Sequence, residues 1–418
     1  MNWDLFHELL GLFCFGYPFA MAYYWMIGAL LYRLVRERHQ PLPSTLPVLD
    51  AYPPVSVVVP CFNEERQLEE TFAALTRINY PDYEIIAIND GSRDGTQVKL
   101  DQLATQIPQL RVLHLAQNRG KSTALNCGAQ AARHELLVCI DGDTLLDPNA
   151  VAWMVRRFQS DPQIGGLAGN PRIRNRSSIV GLLQVGEFCG TVGLIRRAQN
   201  VYGTLFTVSG AICAFRKRAL QEAGWWDPAA LTDDVDVSWR VQLAGWNIEF
   251  VPKAMAWILT PETLRGLWRQ RLRWSEGGSD VVLRALPHLF SRRGLRVWPI
   301  WLNYVAAILW SYAILLLIAI GIVDFVSVGF NVELEGIGLI PGNWGMALAT
   351  TYLLQMLVAA LLDARLERHM LRTQFWVVWY PLAYWVLQAA SAAVGIVRAA
   401  LHFNRRAGTW VSPDRGFQ

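Results

Sequence analysis

The sequence predicts an α/β domain with a doubly wound parallel sheet, flanked by an N-terminal transmembrane anchor and C-terminal transmembrane helices. Three observations indicate this fold class. The 418-residue chain is 53% hydrophobic and only 17% charged, whereas an ordinary soluble domain carries about 25% charged residues. The hydrophobic excess is concentrated at the two ends of the chain. Between the ends, short apolar runs that are typical of buried strands alternate with helical patterns.

The N-terminal apolar segment, residues 9–32, carries no charged side chain. About 20 apolar residues suffice to span a bilayer. Acidic residues precede the segment and arginines follow it, so we expect a retained anchor and not a cleaved signal peptide. The arginines predict that the C-terminal end of this helix faces the cytoplasm. We assign residues 1–35 to the anchor and the proline-containing residues 36–54 to a linker.

The C-terminal part of the chain holds three further uncharged stretches. They are residues 297–323, 336–362 and 373–397. They predict about three spans within residues 297–397, with an acidic loop outside and a basic loop inside. A simple count of spans sends the tail, residues 398–418, to the outside although it is basic. Pro381 favours a re-entrant or interfacial third segment, so the side of the C-terminus stays open.

The middle of the chain, residues 55–260, is predicted to form the globular domain. Four apolar runs predict its first strands: residues 55–59, 84–88, 111–115 and 136–140. Because helical patterns separate them, the strands are expected to form a parallel sheet. Ligands bind beyond the carboxyl ends of strands in such sheets. The cysteines of this region show no metal-ligand spacing and are expected to be reduced thiols.

Acidic residues follow three of the predicted strands. Glu64 comes after the first strand, Asp90 after the second, and Asp141 and Asp143 after the fourth. Each one alone could be a turn former or a helix cap. Together they predict one ligand crevice. An Asp-x-Asp pair can present hard oxygen ligands to Mg²⁺ or Mn²⁺, which neutralises a diphosphate.

Other nucleotide-binding and nucleic-acid-binding classes are disfavoured. Residues 118–122 read Asn-Arg-Gly-Lys-Ser, but Leu115 stands where a phosphate loop requires glycine. No Gly-x-Gly-x-x-Gly pattern follows a strand, which disfavours a dehydrogenase. The formal net charge of +4 is too small to predict a nucleic-acid binder.

Residues 232–236 open a predicted helix with three aspartates. One of them could act as a general base if it faces the crevice. Alternatively, the aspartates complement the positive end of the helix dipole. Spacing alone does not choose among them.

Residues 261–296 are predicted to contain an amphipathic helix that lies in the membrane interface, since the segment is rich in Trp and Arg. Gln270, Arg273 and Trp274 share one helical face, where a guanidinium group can contact phosphate and an indole ring can contact a sugar. The alternative is a plain basic interfacial helix. A weaker apolar stretch, residues 179–195, predicts a second surface helix.

Five motifs occur in order along the chain. They are residues 55–64 (VSVVVPCFNE), 89–92 (NDGS), 141–143 (DGD), 232–234 (TDD) and 270–274 (QRLRW). With these motifs the sequence resembles the membrane-embedded processive glycosyltransferases of family 2, which include cellulose, chitin and hyaluronan synthases. More narrowly, residues 169–174, 231–239, 257–264 and 410–416 resemble the bacterial poly-β-1,6-N-acetylglucosamine synthases of the biofilm matrix.

The resemblance implies a GT-A fold, a divalent metal (Mg²⁺ or Mn²⁺) and roles for eleven residues. It implies that Glu64 and Asp90 hold uridine, Asp141 and Lys121 contact the nucleotide, Asp143 binds the metal, Asp234 is the base, Gln270 and Arg273 contact the pyrophosphate, Trp274 contacts the acceptor sugar, and Ser209 and Gly210 line the acceptor end. Asp233 stands where the family motif usually has Glu, which leaves the role of Asp233 open.

The resemblance also implies the reaction and its setting. UDP-N-acetylglucosamine is the expected donor, and a growing polysaccharide that crosses the bacterial inner membrane is the expected product, with the catalytic domain in the cytoplasm. A small membrane partner subunit and activation by cyclic di-GMP are implied in the same way. Alternatives are a synthase of another β-linked polysaccharide, a transferase that adds one sugar to a lipid, or a non-catalytic transporter or scaffold. The spans lack the intramembrane charges typical of transporters.

Overall fold

The computed structural model of the chain describes residues 3–329, 343–367 and 384–402. One eight-stranded sheet forms the centre, in the order β3-β2-β1-β4-β7-β6-β8-β5. The strands are β1 (Val55–Cys61), β2 (Tyr83–Asp90), β3 (Leu110–Leu115), β4 (Leu136–Ile140), β5 (Leu145–Leu146), β6 (Ile164–Ile173), β7 (Ile212–Arg216) and β8 (Asn247–Ile258). The helices of the globular part are α2 (Leu68–Leu75), α3 (Thr96–Gln106), α4 (Lys121–Ala131), α5 (Ala150–Ser160), α6 (Ile179–Phe188), α7 (Arg196–Tyr202), α8 (Lys217–Glu222), α9 (Asp233–Leu243) and α10 (Leu264–Ala285).

The first half of the sheet is the predicted parallel one. Strand β1 pairs in parallel with both β2 and β4, and β2 pairs in parallel with β3. Every residue of β1 and of β4 is buried, as expected for strands that are covered on both faces. Strand β1 continues through Pro60 to Cys61 along β2, whereas its pairing with β4 ends at Val58, so Pro60 lies where the strand has a neighbour on one side only.

The second half of the sheet is mixed, which the sequence analysis did not assign. Strand β7 is antiparallel to both β4 and β6, β5 is antiparallel to β8, and β6 is parallel to β8. Helical segments over residues 179–202 connect β6 to β7, and β7 runs in the direction opposite to β6. The prediction of a parallel sheet therefore holds for β1 to β4 and not for the strands that follow.

The predicted surface helix over residues 179–195 is instead largely buried, and the helical segment extends to Tyr202. Helix α6 passes through a π-helical turn, Cys189–Ile195, into α7. The prediction of surface exposure was wrong because apolar helices cover this segment on a second side. Helix α7 packs against the N-terminal helix, and the π-helical turn packs against a C-terminal apolar helix.

Long apolar helices flank the domain. They are α1 (Trp3–Tyr32), α11 (Trp298–Gly329), α12 (Asn343–Asp363) and α13 (Val386–His402). Four described segments are long and apolar enough to cross a membrane: Leu5–Glu37, Ile179–Tyr202, Trp298–Val323 and Trp344–Asp363. Three of these coincide with predicted spans. Of the predicted span 373–397, residues 373–383 with Pro381 lie outside the described residues, as does most of the tail.

A cluster of buried ion pairs connects the ends of two apolar helices to the globular domain. The Arg197 guanidinium, which has no exposed surface, lies 2.7 Å from Asp363 at the end of α12 and 3.2 Å from Glu37 just after α1. Arg172 of β6 lies 2.8 Å from the second oxygen of Asp363. Charges removed from water are stable only when they are paired in this way. The ends of α1 and α12 at Glu37 and Asp363 therefore lie on the side of the domain.

Candidate active site

The loops that follow β1 and β2 are joined by hydrogen bonds. Asn63 adopts a positive φ of 54°, its backbone N–H donates to Ser92 Oγ at 3.0 Å, and its side-chain oxygen accepts from the Arg93 N–H at 2.9 Å. A Cβ on Gly142 would lie 3.1 Å from the buried Glu64 side chain, so Glu64 lies against the turn of residues 141–143. The structure thus brings the polar residues of three strand ends to one edge of the sheet.

Asp90 is fully buried, and its carboxylate holds the loop in front of α4. The two oxygens accept backbone N–H groups of Arg119 at 2.8 Å and Gly120 at 2.9 Å. Burial raises the pKa of Asp90, although these hydrogen bonds oppose the change. Gly120 has a φ of 91°, a conformation that favours glycine. Through this loop Asp90 fixes the start of α4, where Lys121 is the first residue.

Lys121 joins the acidic groups of the site. Its ammonium lies 2.6 Å from Asp141, 3.7 Å from Asp233 and 3.4 Å from the Gly210 carbonyl. Burial alone would lower the pKa of Lys121, but the carboxylates of Asp141 and Asp233 raise it above its usual value. The ammonium is therefore charged and links the end of β4 to the start of α9.

Asp234 is half-buried and has a raised pKa. The Gly210 N–H donates to one of its oxygens at 3.2 Å, and the Val235 N–H donates to the other at 3.0 Å. Burial and the neighbouring Asp233 raise the pKa of Asp234, while Lys121 and Arg273 oppose the change. A raised pKa brings a carboxylate closer to the value that suits a general base.

The structure separates the three aspartates among which spacing could not choose. Asp233 and Asp234 face Lys121, as their contacts show. Asp236 accepts from Arg240 Nε at 2.8 Å, one helical turn further on, and does not contact the site. Asp233, whose role the sequence left open, is thus placed within the site beside Asp234.

Helix α10 carries the residues that are predicted to contact phosphate and sugar. Arg273 is exposed, and its charge acts on Asp234. Gln270 Oε1 is buried and accepts no hydrogen bond from the described residues, so it has capacity for a ligand. Trp274 is half-buried, and Ser209, next to Gly210, is buried. Arg273 therefore lies close enough to act on Asp234, and Gln270 Oε1 keeps capacity for a polar contact.

Two supporting arginines were missed by the sequence analysis. Arg271 stacks on Trp274, with its guanidinium carbon 4.4 Å from the ring centre, and lies 2.7 Å from the buried Glu187. Its position three residues before Trp274 was a usable signal. Arg196 donates to the carbonyls of Gly169 at 3.4 Å and Val208 at 3.3 Å, which holds the loop before Ser209. No local sequence pattern predicts the contacts of Arg196.

The residues present fit a metal that is bound together with a diphosphate. Asp141 and Asp143 are partly exposed on the turn after β4. The described residues contain no group of three or more His, Cys, Asp or Glu side chains that could hold a metal ion. Mg²⁺-type ions in nucleotide sites are usually held by one or two carboxylates plus phosphate oxygens. The Asp141 and Asp143 pair suits that kind of site.

The fold and this arrangement of acids define a glycosyltransferase. Residues 53–277 match the family model described as glycosyltransferase like family 2. The chain belongs to this family, which confirms the resemblance and the GT-A-like fold predicted from the motifs. A non-catalytic transporter or scaffold is thereby disfavoured.

Relatives match the chain over nearly its whole length. A poly-beta-1,6-N-acetyl-D-glucosamine synthase of Staphylococcus epidermidis is 33% identical over 412 residues, covering 97% of this chain and 98% of the relative. The synthase of the same name from Staphylococcus aureus strain COL is 34% identical over 405 residues, with the same coverage. Among solved structures, a mannosyltransferase of Pyrobaculum calidifontis in complex with GDP-Man and Mn²⁺ aligns with a TM-score of 0.66 at 19% identity. The alignment covers 94% of this chain and 97% of the mannosyltransferase chain, which shows that the two proteins share a fold.

Proposed function

We propose that the protein is a processive, inverting synthase that polymerises N-acetylglucosamine from UDP-N-acetylglucosamine into a β-1,6-linked polysaccharide for biofilm formation. The observation that carries the reaction is the half-buried Asp234 carboxylate, which accepts from the Gly210 N–H at 3.2 Å and on which the charges of Lys121 and Arg273 act. The choice of sugar and linkage is supported by the relatives, which are named for this product and align over 97% of the chain.

Donor binding is assigned to the edge of the sheet and the facing side of α10. Glu64 and Asp90 hold uridine, directly or through the loops they fix, and Asp141 and Lys121 contact the nucleotide. Gln270 and Arg273 bind the pyrophosphate; the buried, unpartnered Gln270 Oε1 supports a polar ligand there. Asp143, with Asp141, holds Mg²⁺ or Mn²⁺. When bound, this metal supplies positive charge that stabilises the diphosphate leaving group.

The chemical step is assigned to Asp234. Its carboxylate takes the proton of the acceptor's primary hydroxyl group, whose oxygen attacks the anomeric carbon of the donor. The bond between that carbon and the phosphate oxygen breaks, and UDP leaves with the bonding electrons while α becomes β. Arg273 offsets the charge that develops on the diphosphate. Trp274 stacks on the acceptor sugar, and Ser209 and Gly210 line its end of the site.

The enzyme is assigned to the bacterial inner membrane, with the catalytic domain in the cytoplasm and the polymer leaving through the membrane region. The contacts of Arg197 with Glu37 and Asp363 support this topology, because they place the ends of α1 and α12 on the side of the domain. The arginines directly after α1 agree with it. A small membrane subunit and activation by cyclic di-GMP belong to the same proposal.

A donor screen tests the proposal. The full chain, purified in detergent with Mg²⁺ or Mn²⁺, is given labelled UDP-sugars one at a time, and polymer is measured. We expect polymer only from UDP-N-acetylglucosamine, and we expect a 1,6-specific glycosidase to degrade it. Asp234→Asn serves as the inactive control. Polymer from another sugar, resistance to the glycosidase, or transfer of a single sugar to lipid would each contradict the proposed product.

A further inference from the structure

A second cavity lies well away from the acidic site, at the domain end of α1. Its volume is about 260 Å³. It lies between the end of α1, helix α5 and strand β8, and its lining includes Tyr32, Arg36, Trp153, Arg156, Glu249 and Lys253. None of these residues takes part in the proposed reaction. We refer to it as the anchor cavity.

The anchor cavity carries an excess of positive charge. Its acidic residue Glu249 is already engaged by Arg157, whose Nε and Nη2 each lie 2.6 Å from a carboxylate oxygen. Among the described residues, no ion pair joins the three remaining cations to a carboxylate. Those three are Arg36, Arg156 and Lys253.

Two of these cations share one indole ring. Lys253 Nζ lies 4.2 Å from the centre of the Trp153 ring, and the Arg156 guanidinium carbon lies 5.4 Å from it. Lys253 is buried, and its ammonium also donates to the Pro41 carbonyl. The pKa of Lys253 is lowered to about 8, mainly by burial; Arg156 contributes to the lowering and Glu37 opposes it. An anion bound between the buried Lys253 and the half-buried Arg156 would offset the repulsion between their like charges.

The position of the anchor cavity restricts the source of such an anion. The lining includes Tyr32, the last residue of α1, and the exposed Val35 in the turn that follows. A smaller neighbouring cleft shares Gln40 and Lys253 with it and is lined by further basic residues near the ends of α1 and α12. Basic side chains with an aromatic ring at the end of a membrane span are well suited to lipid headgroups.

We propose that the anchor cavity binds the phosphate group of an acidic phospholipid headgroup at the membrane boundary. Arg156 and Lys253 contact the phosphate, while Arg36 contacts it from the anchor side. Leu34 and Val35 are exposed, and the proposal assigns them to contact with the first part of the acyl chains. The site would tie the catalytic domain to the membrane through a lipid, in addition to the protein contacts of Arg197.

The test compares the full chain with two double variants in nanodiscs. Arg156→Gln with Lys253→Gln removes two of the three cavity cations. Arg133→Gln with Arg218→Gln removes two exposed cations of the globular domain, beside the start of β4 and the end of β7 and outside the interfacial segment. Binding of phosphatidylglycerol is titrated into phosphatidylcholine discs and read by native mass spectrometry. We expect the cavity variant to bind phosphatidylglycerol at least about tenfold more weakly than the wild type, and the matched control to bind within about twofold of it.

Equal binding by the cavity variant and the wild type overturns the proposal. A parallel arm uses inorganic phosphate with the detergent-purified protein. If phosphate binds in the anchor cavity but phosphatidylglycerol shows no preference over phosphatidylcholine, the anion comes from solution and the lipid assignment is wrong. Thermal unfolding in phosphatidylcholine checks that the variants fold. Should the double variant fail to fold, Arg36→Gln, which changes an exposed side chain, replaces it under the same criteria.

Discussion

The ammonium of Lys121 lies 2.6 Å from a carboxylate oxygen of Asp141. This contact connects the first residue of α4 with the end of β4, and the same ammonium lies 3.7 Å from Asp233 at the start of α9. One cation therefore balances an acid at the end of a strand and an acid at the start of a helix that is distant in sequence. If the donor diphosphate binds as proposed, it shares Lys121 with Asp141, so the proposal couples donor binding to the charge balance of the site.

Replacement of Lys121 tests this charge balance. Lys121→Gln leaves Asp141, Asp233 and Asp234 without their shared cation, so we expect a loss of about 3 kcal/mol of stability at neutral pH. Without Lys121, which opposes the rise, the folded-state pKa of Asp234 lies further above its unfolded value. A raised acid pKa favours folding at low pH, so the deficit should shrink as pH falls. Thermal unfolding of the full chain in detergent, measured across pH, checks this.

A matched control is available on the surface. Lys99 pairs with Glu69 at 3.0 Å, and the Glu69 side chain is 75% exposed. Lys99→Gln should therefore change stability by less than about 1 kcal/mol at any pH. If Lys121→Gln behaves like Lys99→Gln across the pH range, the acids of the site do not depend on Lys121.

The pH dependence of synthesis tests Asp234 as the base. The carboxylate must be ionised to take a proton, so activity is lost as pH falls through its pKa. Because that pKa is raised, the acid limb of kcat/KM should lie above the ordinary aspartate value of about 3.9. Asp233→Asn removes a charge that raises the pKa, so the limb should move to lower pH. Asp234→Asn should reduce kcat by about 10²- to 10⁴-fold at every pH.

Asp236→Asn is the control for this series, because Asp236 pairs with Arg240 outside the site. The acid limb of this variant should coincide with that of the wild type, even if its thermal stability is lower. An acid limb that stays in place in Asp233→Asn would show that Asp234 is not the group that titrates.

The strand ends of the site could be predicted because their signals are local. Apolar runs located β1, β2, β3 and β4, and the acids directly after them share one edge since parallel strands end on the same side. The sequence also offers a signal that Asp236, unlike Asp234, is engaged outside the site. Arg240 lies four residues after Asp236, and an i, i+4 pair on a helix predicts that contact.

Other features had no local signal. Arg197 and Asp363 are 166 residues apart, and their contact depends on how an apolar helix packs against the domain. The burial of residues 179–202 has the same cause, because one apolar pattern fits both a membrane interface and a protein interior. The mixed half of the sheet depends on the direction in which β7 enters, which strand propensity does not encode.

A double-mutant cycle tests whether the Arg271–Glu187 pair positions Trp274. Both charges are buried, at 3% and 2% side-chain exposure, so removal of either partner leaves an unpaired buried charge. Arg271→Met and Glu187→Gln should each cost about 3–5 kcal/mol, and the double variant should cost less than their sum. Thermal unfolding measures these costs.

Kinetics separate positioning from stability in the same variants. Because Arg271 stacks on Trp274, Arg271→Met should raise KM for the acceptor more than KM for the UDP-sugar. Glu187→Gln keeps the guanidinium group and should affect the acceptor less. Equal changes in both KM values, or strictly additive stability costs, would assign the pair a structural role alone.

The close approach of α10 to α9 gives a test of how precisely Asp234 must be placed. A Cβ on Gly277 would lie 2.5 Å from the Thr232 side chain, and Thr232 directly precedes Asp233 and Asp234 at the start of α9. Gly277→Ala must therefore push the two helices apart. A shift of about 1 Å at a reacting group can cost roughly 10²-fold in rate, so we expect kcat to fall between tenfold and a hundredfold.

Gly16→Ala is the matched control for Gly277→Ala, because it makes the same change inside a helix. A Cβ on Gly16 would lie 3.9 Å from Leu12 Cδ1, which is an ordinary van der Waals contact. Alanine favours a helix over glycine by up to about 1 kcal/mol, so Gly16→Ala should keep full activity and unfold at an equal or higher temperature. If Gly277→Ala also keeps full kcat, the spacing between α9 and α10 does not set the position of Asp234. If its kcat falls while its unfolding temperature matches that of Gly16→Ala, the loss comes from the geometry of the site.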